Sequence, residues 1–226
     1  MDFSSVFRSA EVVKNLVIIN ALIFLAKIVS PSLGLQSGLA DYYLGLHYFG
    51  DAGFYPWQIV THMFMHVNFS HVLFNMIGLI SLGTILERFW GPKRFLFFYL
   101  AAGLGGALFH EISQAVMVYS KIGSIWVPVE YAGQVSSIAM GASGAIYGVF
   151  AAFAMLFPNT EMYVFLIPIP IKAKYLVVIF IALDLFMGFG GSSLIGLNIA
   201  NFAHLGGAAV GAIMVLIWRK SRTNFY

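Results

Sequence analysis

Apolar residues fall into six long runs along this chain, at roughly residues 12 to 30, 69 to 87, 94 to 117, 141 to 157, 173 to 190 and 198 to 218. A helix needs about 20 predominantly apolar residues to cross a hydrocarbon core, somewhat fewer if tightly buried, so each run predicts a membrane span. The first run sits where a signal segment would, but Lys14 and Lys27 interrupt it and no A-x-A-like cleavage site follows, so it reads as a retained span. The expected fold is an all-α bundle of six transmembrane helices forming one membrane domain over residues 1–226, with no soluble domain.

The polar positions divide by side. With six spans and a cytoplasmic N-terminus, Arg8, Lys14, Arg88, Lys93, Arg94, Lys172, Lys174, Arg219, Lys220 and Arg222 lie inside, and only Lys27 and Lys121 lie outside. Basic residues collect on the cytoplasmic side, so this partition predicts both termini in the cytoplasm, and one span more or fewer would scramble it. The long connections, residues 31 to 68 and 118 to 140, are then outer ones. The first carries Tyr42, Tyr43, Tyr48, Phe49, Phe54, Tyr55 and Trp57, an aromatic content suited to the membrane interface.

Composition excludes whole classes of function. The chain is 60% hydrophobic and 9% charged, with a mean hydropathy of +0.88, which no aqueous globule could bury. A net charge of +3 is too small and too scattered to track a phosphate backbone, so nucleic acid is excluded as a partner and the lipid bilayer is the expected surroundings. If the chain is bacterial, that bilayer is the plasma membrane. With no cysteine there is no disulfide, thiolate nucleophile or Cys-based metal site.

Candidate chemistry gathers at one depth. His71 and Asn75 open the second span, Ser143 the fourth, and Asn201 and His204 the sixth. These three spans run from outside to inside, so at 1.5 Å per residue all five residues lie within roughly 10 Å of the outer boundary. Gly144 and Gly148 beside Ser143, and Gly207 and Gly211 after His204, form small-residue faces that let two helices approach closely. Packed together, those faces bring His204 within reach of Ser143, so helix packing and catalysis become the same structure. His62, His66 and His71 lack the HExxH pattern of zinc peptidases, and His110-Glu111 has no second histidine, so no metal or other cofactor is expected.

These residues resemble the rhomboid intramembrane serine proteases over residues 56 to 211. The resemblance rests on His62, His66, His71 and Asn75 in HxxxHxxxxHxxxN, on Gly141-Ala142-Ser143-Gly144 with Tyr147 four residues after the serine, and on ANFAHLGGAAVG from Ala200 to Gly211. Glu87 and Gly91 after the second span also fit. The resemblance implies a dyad in which Ser143 is the nucleophile and His204 the general base and acid. It further implies an oxyanion site of His71, Asn75 and the Ser143 amide, with Tyr147 as the aromatic that stacks on the imidazole. Gly141, Gly144, Gly207, Gly211 and Asn201 are supporting residues. The implied function is endoproteolysis of single-span transmembrane proteins near the outer boundary; the alternative is an inactive relative that binds membrane proteins for quality control. Many members carry Trp-Arg in the first outer loop. Here the residues are Pro56-Trp57-Gln58, and a Gln lacks the charge-assisted contacts of an Arg, which leaves the anchoring of that loop open.

Asp184 is the one acid well inside a span. It lies about 18 Å above the inner boundary and His204 about 9 Å below the outer one, so in a core roughly 30 Å thick the two share a depth. Because the resemblance implies a dyad, Asp184 is expected outside the catalytic unit, protonated and hydrogen-bonded to a neighbouring helix.

Overall fold

A computed structural model describes residues 10–131, 134–164, 167–188 and 201–221. These are mostly helical. In chain order the main elements are α1 (Glu11–Val29), α2 (Leu39–Leu44), α3 (Gln58–Thr61), α4 (Phe69–Trp90), α5 (Pro92–Ile122), α6 (Ser143–Leu156), β1 (Glu161–Val164), β2 (Ile167–Lys172), α7 (Ala173–Gly188) and α8 (Asn201–Ser221). Among the described residues, four helices are long and apolar enough to cross a membrane: α1 with its 3₁₀ extension to Leu33, α4, α5 and α8. The shorter α6 and α7 have 14 and 16 residues.

Local sequence accounts for several helix ends. The Asn68 side chain accepts from the His71 amide at 2.9 Å and so caps α4. Pro92 opens α5, and Gly123 closes it in the left-handed conformation at φ +68°. The start of α1 has no cap of its own. Its Val12 and Val13 amides donate to the two oxygens of Glu87 at 2.9 and 2.8 Å, so a buried acid of α4 ties down the first helix. A π-helical turn at Leu79–Gly83 interrupts α4.

The connection between α6 and α7 departs from the all-α expectation. Here β1 and β2 pair as an antiparallel two-stranded ribbon, where no strand was expected. The alternation Ile-Pro-Ile-Pro-Ile favours extended backbone, and a two-stranded ribbon has only edge strands, where a proline without an N–H is tolerated.

The centre of the molecule is the crossing of α5, α6 and α8. Lipid tails are as apolar as leucine, so helices inside a bilayer associate by close packing instead of by expelling water. Glycines provide it here. A β-carbon on Gly211 would stand 2.7 Å from Gly148 Cα, one on Gly106 would stand 2.9 Å from the Ala203 carbonyl oxygen, and one on Gly207 would collide with the Gly144 carbonyl. Outward-facing residues such as Leu22, Phe97, Leu108 and Ile217 are exposed and apolar, as a surface against lipid requires.

The connection between α1 and α4 and the one between α5 and α6 are knitted together at one end of this crossing. Leu46 pairs with Ala139 in an isolated β-bridge, Tyr48 Oη donates to the Ile125 carbonyl at 2.9 Å, and Ser136 Oγ donates to Asp51 Oδ2 at 2.7 Å. Gln58 is fully buried among them. Its Nε2 donates to the carbonyls of Tyr42 and Gly53, both at 3.1 Å, and its Oε1 accepts from the amides of His47 and Tyr55 at 3.2 and 3.1 Å. A neutral amide thus anchors the loop with two donors and two acceptors, which a guanidinium, being donor only, could not match.

Candidate active site

Ser143 is the first residue of α6. The preceding Ala142 offers no side-chain cap, so the first amides of the helix have no intrahelical acceptor and the serine hydroxyl is not turned back to cap its own helix. That hydroxyl lies 2.8 Å from His204 Nε2. His204 sits one turn into α8, and its ring stacks on Tyr147 with centroids 4.3 Å apart and planes 9° from parallel. The glycine contacts of α6 with α8 lie directly below, from Gly144 and Gly207 to Gly148 and Gly211.

Gly141 adopts φ +137°, where a side chain would be strained, and a β-carbon there would lie 2.9 Å from His71 Nε2 and 3.4 Å from Ser143 Oγ. The His71 ring therefore stands against the backbone just before the serine. The Gly141 amide donates to the His62 carbonyl at 2.9 Å, and His62 Nδ1 is 2.9 Å from the Gln58 carbonyl, which chains the serine turn to the loop between α1 and α4. Burial lowers the His62 pKa to about 4 and keeps the ring neutral. Burial, with the nearby His71 and Lys27, lowers that of His66 to about 4 as well.

A cleft of about 410 Å³ opens beside the serine. Its walls come from α4 (His71, Asn75, Gly78), α6 (Ser143, Ile146, Tyr147) and α7 (Leu176, Phe180). Asn75 is buried, and its Nδ2 has no hydrogen-bond partner among the described residues. A second cavity of about 20 Å³, lined by His62, Gly141, Ser143 and Ala203, has room for about one water.

Ser143, His204, Tyr147, His71, Asn75 and the four glycines are thus gathered in one place. Asn201 is buried one turn before His204 with Nδ2 unpartnered among the described residues, and it makes no hydrogen bond to the serine or the histidine. Asp184 bonds a neighbouring helix, as expected, and its partner there is His204, with Oδ1 3.2 Å from Nδ1.

A family model described as the Rhomboid domain matches residues 54–221. The chain belongs to the rhomboid family. RHOMBOID-like protein 12, mitochondrial, of Arabidopsis thaliana is 33% identical over 216 residues, covering 95% of this chain and 60% of that protein. Rhomboid protease GluP of Bacillus subtilis is 32% identical over 156 residues, 69% of this chain and 24% of GluP. Rhomboid protease AarA of Providencia stuartii is 28% identical over 219 residues, 90% of this chain and 71% of AarA. The chain thus spans less than two thirds of the first two relatives. Family and apolar helices together make this an integral membrane protein of a family that includes proteases.

Proposed function

We propose that this rhomboid is an intramembrane serine endopeptidase that cleaves single-span transmembrane proteins near the outer face of a six-span bundle with both termini cytoplasmic. The observation that carries this reading is the 2.8 Å contact between Ser143 Oγ and His204 Nε2 at a helix start. Ser143 Oγ attacks the scissile carbonyl carbon while its proton passes to His204 Nε2. The oxyanion that forms is stabilised by the Ser143 amide and the side chains of His71 and Asn75, and the unpartnered Asn75 Nδ2 supports that assignment. When the C–N bond breaks, the imidazolium gives its proton to the leaving amine. A water then attacks the acyl-serine, His204 taking its proton and returning it to Ser143 Oγ.

The cleft between α4 and α7 supports a transmembrane segment as substrate, because its walls are mostly apolar, with His71, Asn75, Ser81 and Ser143 among the few polar residues that line it. A substrate helix hides its peptide bonds in internal hydrogen bonds, so it has to unwind before attack, and helix-weakening residues near the cut follow from this. The test is labelling by a fluorophosphonate together with cleavage of a single-span test substrate by purified protein. Wild type labels and cleaves, and Ser143→Ala and His204→Ala do neither. Substantial cleavage by Ser143→Ala refutes the reading.

A further inference from the structure

We infer that the β1–β2 ribbon is the far end of the substrate site, and that its Tyr163 selects substrates whose membrane segment runs on, apolar, for about 12 residues from the cut. The inference rests on the serine-protease reading above. The cleft beside Ser143 does not close beneath the serine. It continues along α4 past Asn75, Gly78 and Ser81, and along α7 past Phe180 and Leu176, and it reaches Met162 and Tyr163 of β1. Ser143 starts α6 and the ribbon follows the end of that helix, so the 14 residues of α6 separate the two ends of the cleft by about 20 Å, at 1.5 Å per residue.

The ribbon is built to present that tyrosine. Met162 pairs with Ile171 and Val164 with Ile167, so Tyr163 alone stands opposite Pro168, Ile169 and Pro170, and the register breaks there. Neither proline has an N–H to give to the ladder, and an irregularity of this kind re-aims a side chain. Met162 and Ile171 pack against the hydrophobic core and hold this part of the ribbon in place, while Tyr163 is 72% exposed at the cleft. An amphipathic ring in that position lays its face on an apolar helix and leaves its hydroxyl at the water boundary. The occupant follows from continuity with the serine. Gly78 has no side chain and Ser81 a small one, and Ile146, Phe150 and Phe180 across from them are apolar, so the trough suits the same membrane segment that is cut at its other end. A segment unwound over a few residues at Ser143 and helical beyond them covers about 20 Å in roughly 10 to 13 residues.

The chain has no cysteine, so Tyr163→Cys in a Ser143→Ala background places a single thiol on the ribbon and leaves the substrate uncut. Single-span test substrates then carry one cysteine at about 5, 12 or 20 residues from the cut, on the ribbon side. Mild oxidation in proteoliposomes should crosslink the middle position well above the other two, and equal or absent crosslinking there overturns the proposal. In steady-state kinetics Tyr163→Ala should raise KM about tenfold with kcat kept within about twofold, the order expected for one lost aromatic contact, and Tyr163→Phe, which keeps the ring, should match wild type. A substrate whose apolar segment stops about five residues past the cut cannot reach the ribbon, so its KM should be the same in wild type and Tyr163→Ala. An unchanged KM for the long substrate overturns the proposal, as does an equal rise for the short one. Lipid filling the lower cleft in place of substrate would leave the KM for the long substrate unchanged and give no crosslink. If wild type neither labels with fluorophosphonate nor cleaves, the protease reading has failed, and the crosslinking pattern still decides whether an apolar segment lies along the cleft as far as Tyr163.

Discussion

Replacing Gly211 by alanine tests whether the glycine crossing sets the distance between serine and histidine. The added β-carbon would lie 2.7 Å from Gly148 Cα and 2.8 Å from its carbonyl oxygen. Both are backbone atoms, so no side chain can rotate out of the way, and ordinary contact begins near 3.4 Å. The helices must therefore part by about 0.7 Å at this level. If α8 shifts as a rigid rod, the 2.8 Å bond from Ser143 to His204 lengthens to about 3.5 Å, outside good hydrogen-bond geometry. Misplacement of this order costs up to about 100-fold in rate, and overpacking destabilises by about 1 to 3 kcal/mol, partly offset by the roughly 1 kcal/mol gained from alanine's better helix propensity. The expected result is a folded protein whose thermal midpoint moves little while kcat falls at least tenfold. Ile213→Ala on the lipid-facing side of the same helix, where the residue is 55% exposed, should leave kcat unchanged. The assay is cleavage of a single-span substrate in proteoliposomes with thermal unfolding in parallel. Gly211→Ala with more than half of wild-type kcat would show that α8 bends or slides to absorb the clash, and that the crossing does not govern the catalytic distance.

Asn75→Ala should lower kcat by about 100 to 1,000-fold with little change in KM, as expected for an oxyanion donor; steady-state kinetics showing only a raised KM would make Asn75 a packing residue. Glu87→Ala strips one buried and one half-buried amide of their acceptor at the start of α1 and should cost about 2 kcal/mol or more in stability, seen as a lower thermal midpoint, with kcat per folded molecule retained. His62 and His66, buried in the connection between α1 and α4, have folded pKa values near 4 against an ordinary 6.5. The unfolded chain then binds more protons between those values, so the stability these rings support is full above pH 6.5 and is lost as pH falls toward 4. The thermal midpoint should drop across that window, and one independent of pH would contradict the buried neutral state.

Much of this was legible in sequence for reasons that can be named. The long apolar runs place α1, α4, α5 and α8, because a bilayer demands both length and apolarity of a spanning helix. Depth along a helix follows from residue count at 1.5 Å per residue, so Ser143 and His204 could be assigned to one layer, and small residues beside each told which faces approach. Other features were invisible. Glu87 matched a family position, but nothing local shows that its carboxylate caps α1, 74 residues away in sequence. Gln58 looked like the loss of an anchoring charge, and only the folded loop shows two donors and two acceptors meeting the carbonyls and amides around it. The paired strands β1 and β2 lie in a stretch whose apolarity and length do not separate a strand from a loop.

Asp184 marks the boundary between the two kinds of information. Counting residues from the membrane surface already allowed it to share a depth with His204, because rise per residue is a property of any α-helix. The direction in which the side chain points around the axis of α7 is not. Leu183, Leu185 and Phe186 are as apolar as the buried Leu176, so this helix carries little polar pattern to tell its inward face from its lipid face. Rotation of α7 is set by the shapes of α6 and α8 against which it packs, and that packing turns the one carboxylate of the helix toward the histidine. The sequence by itself determined which groups stand in one layer of the membrane; only the tertiary structure decided which of them touch.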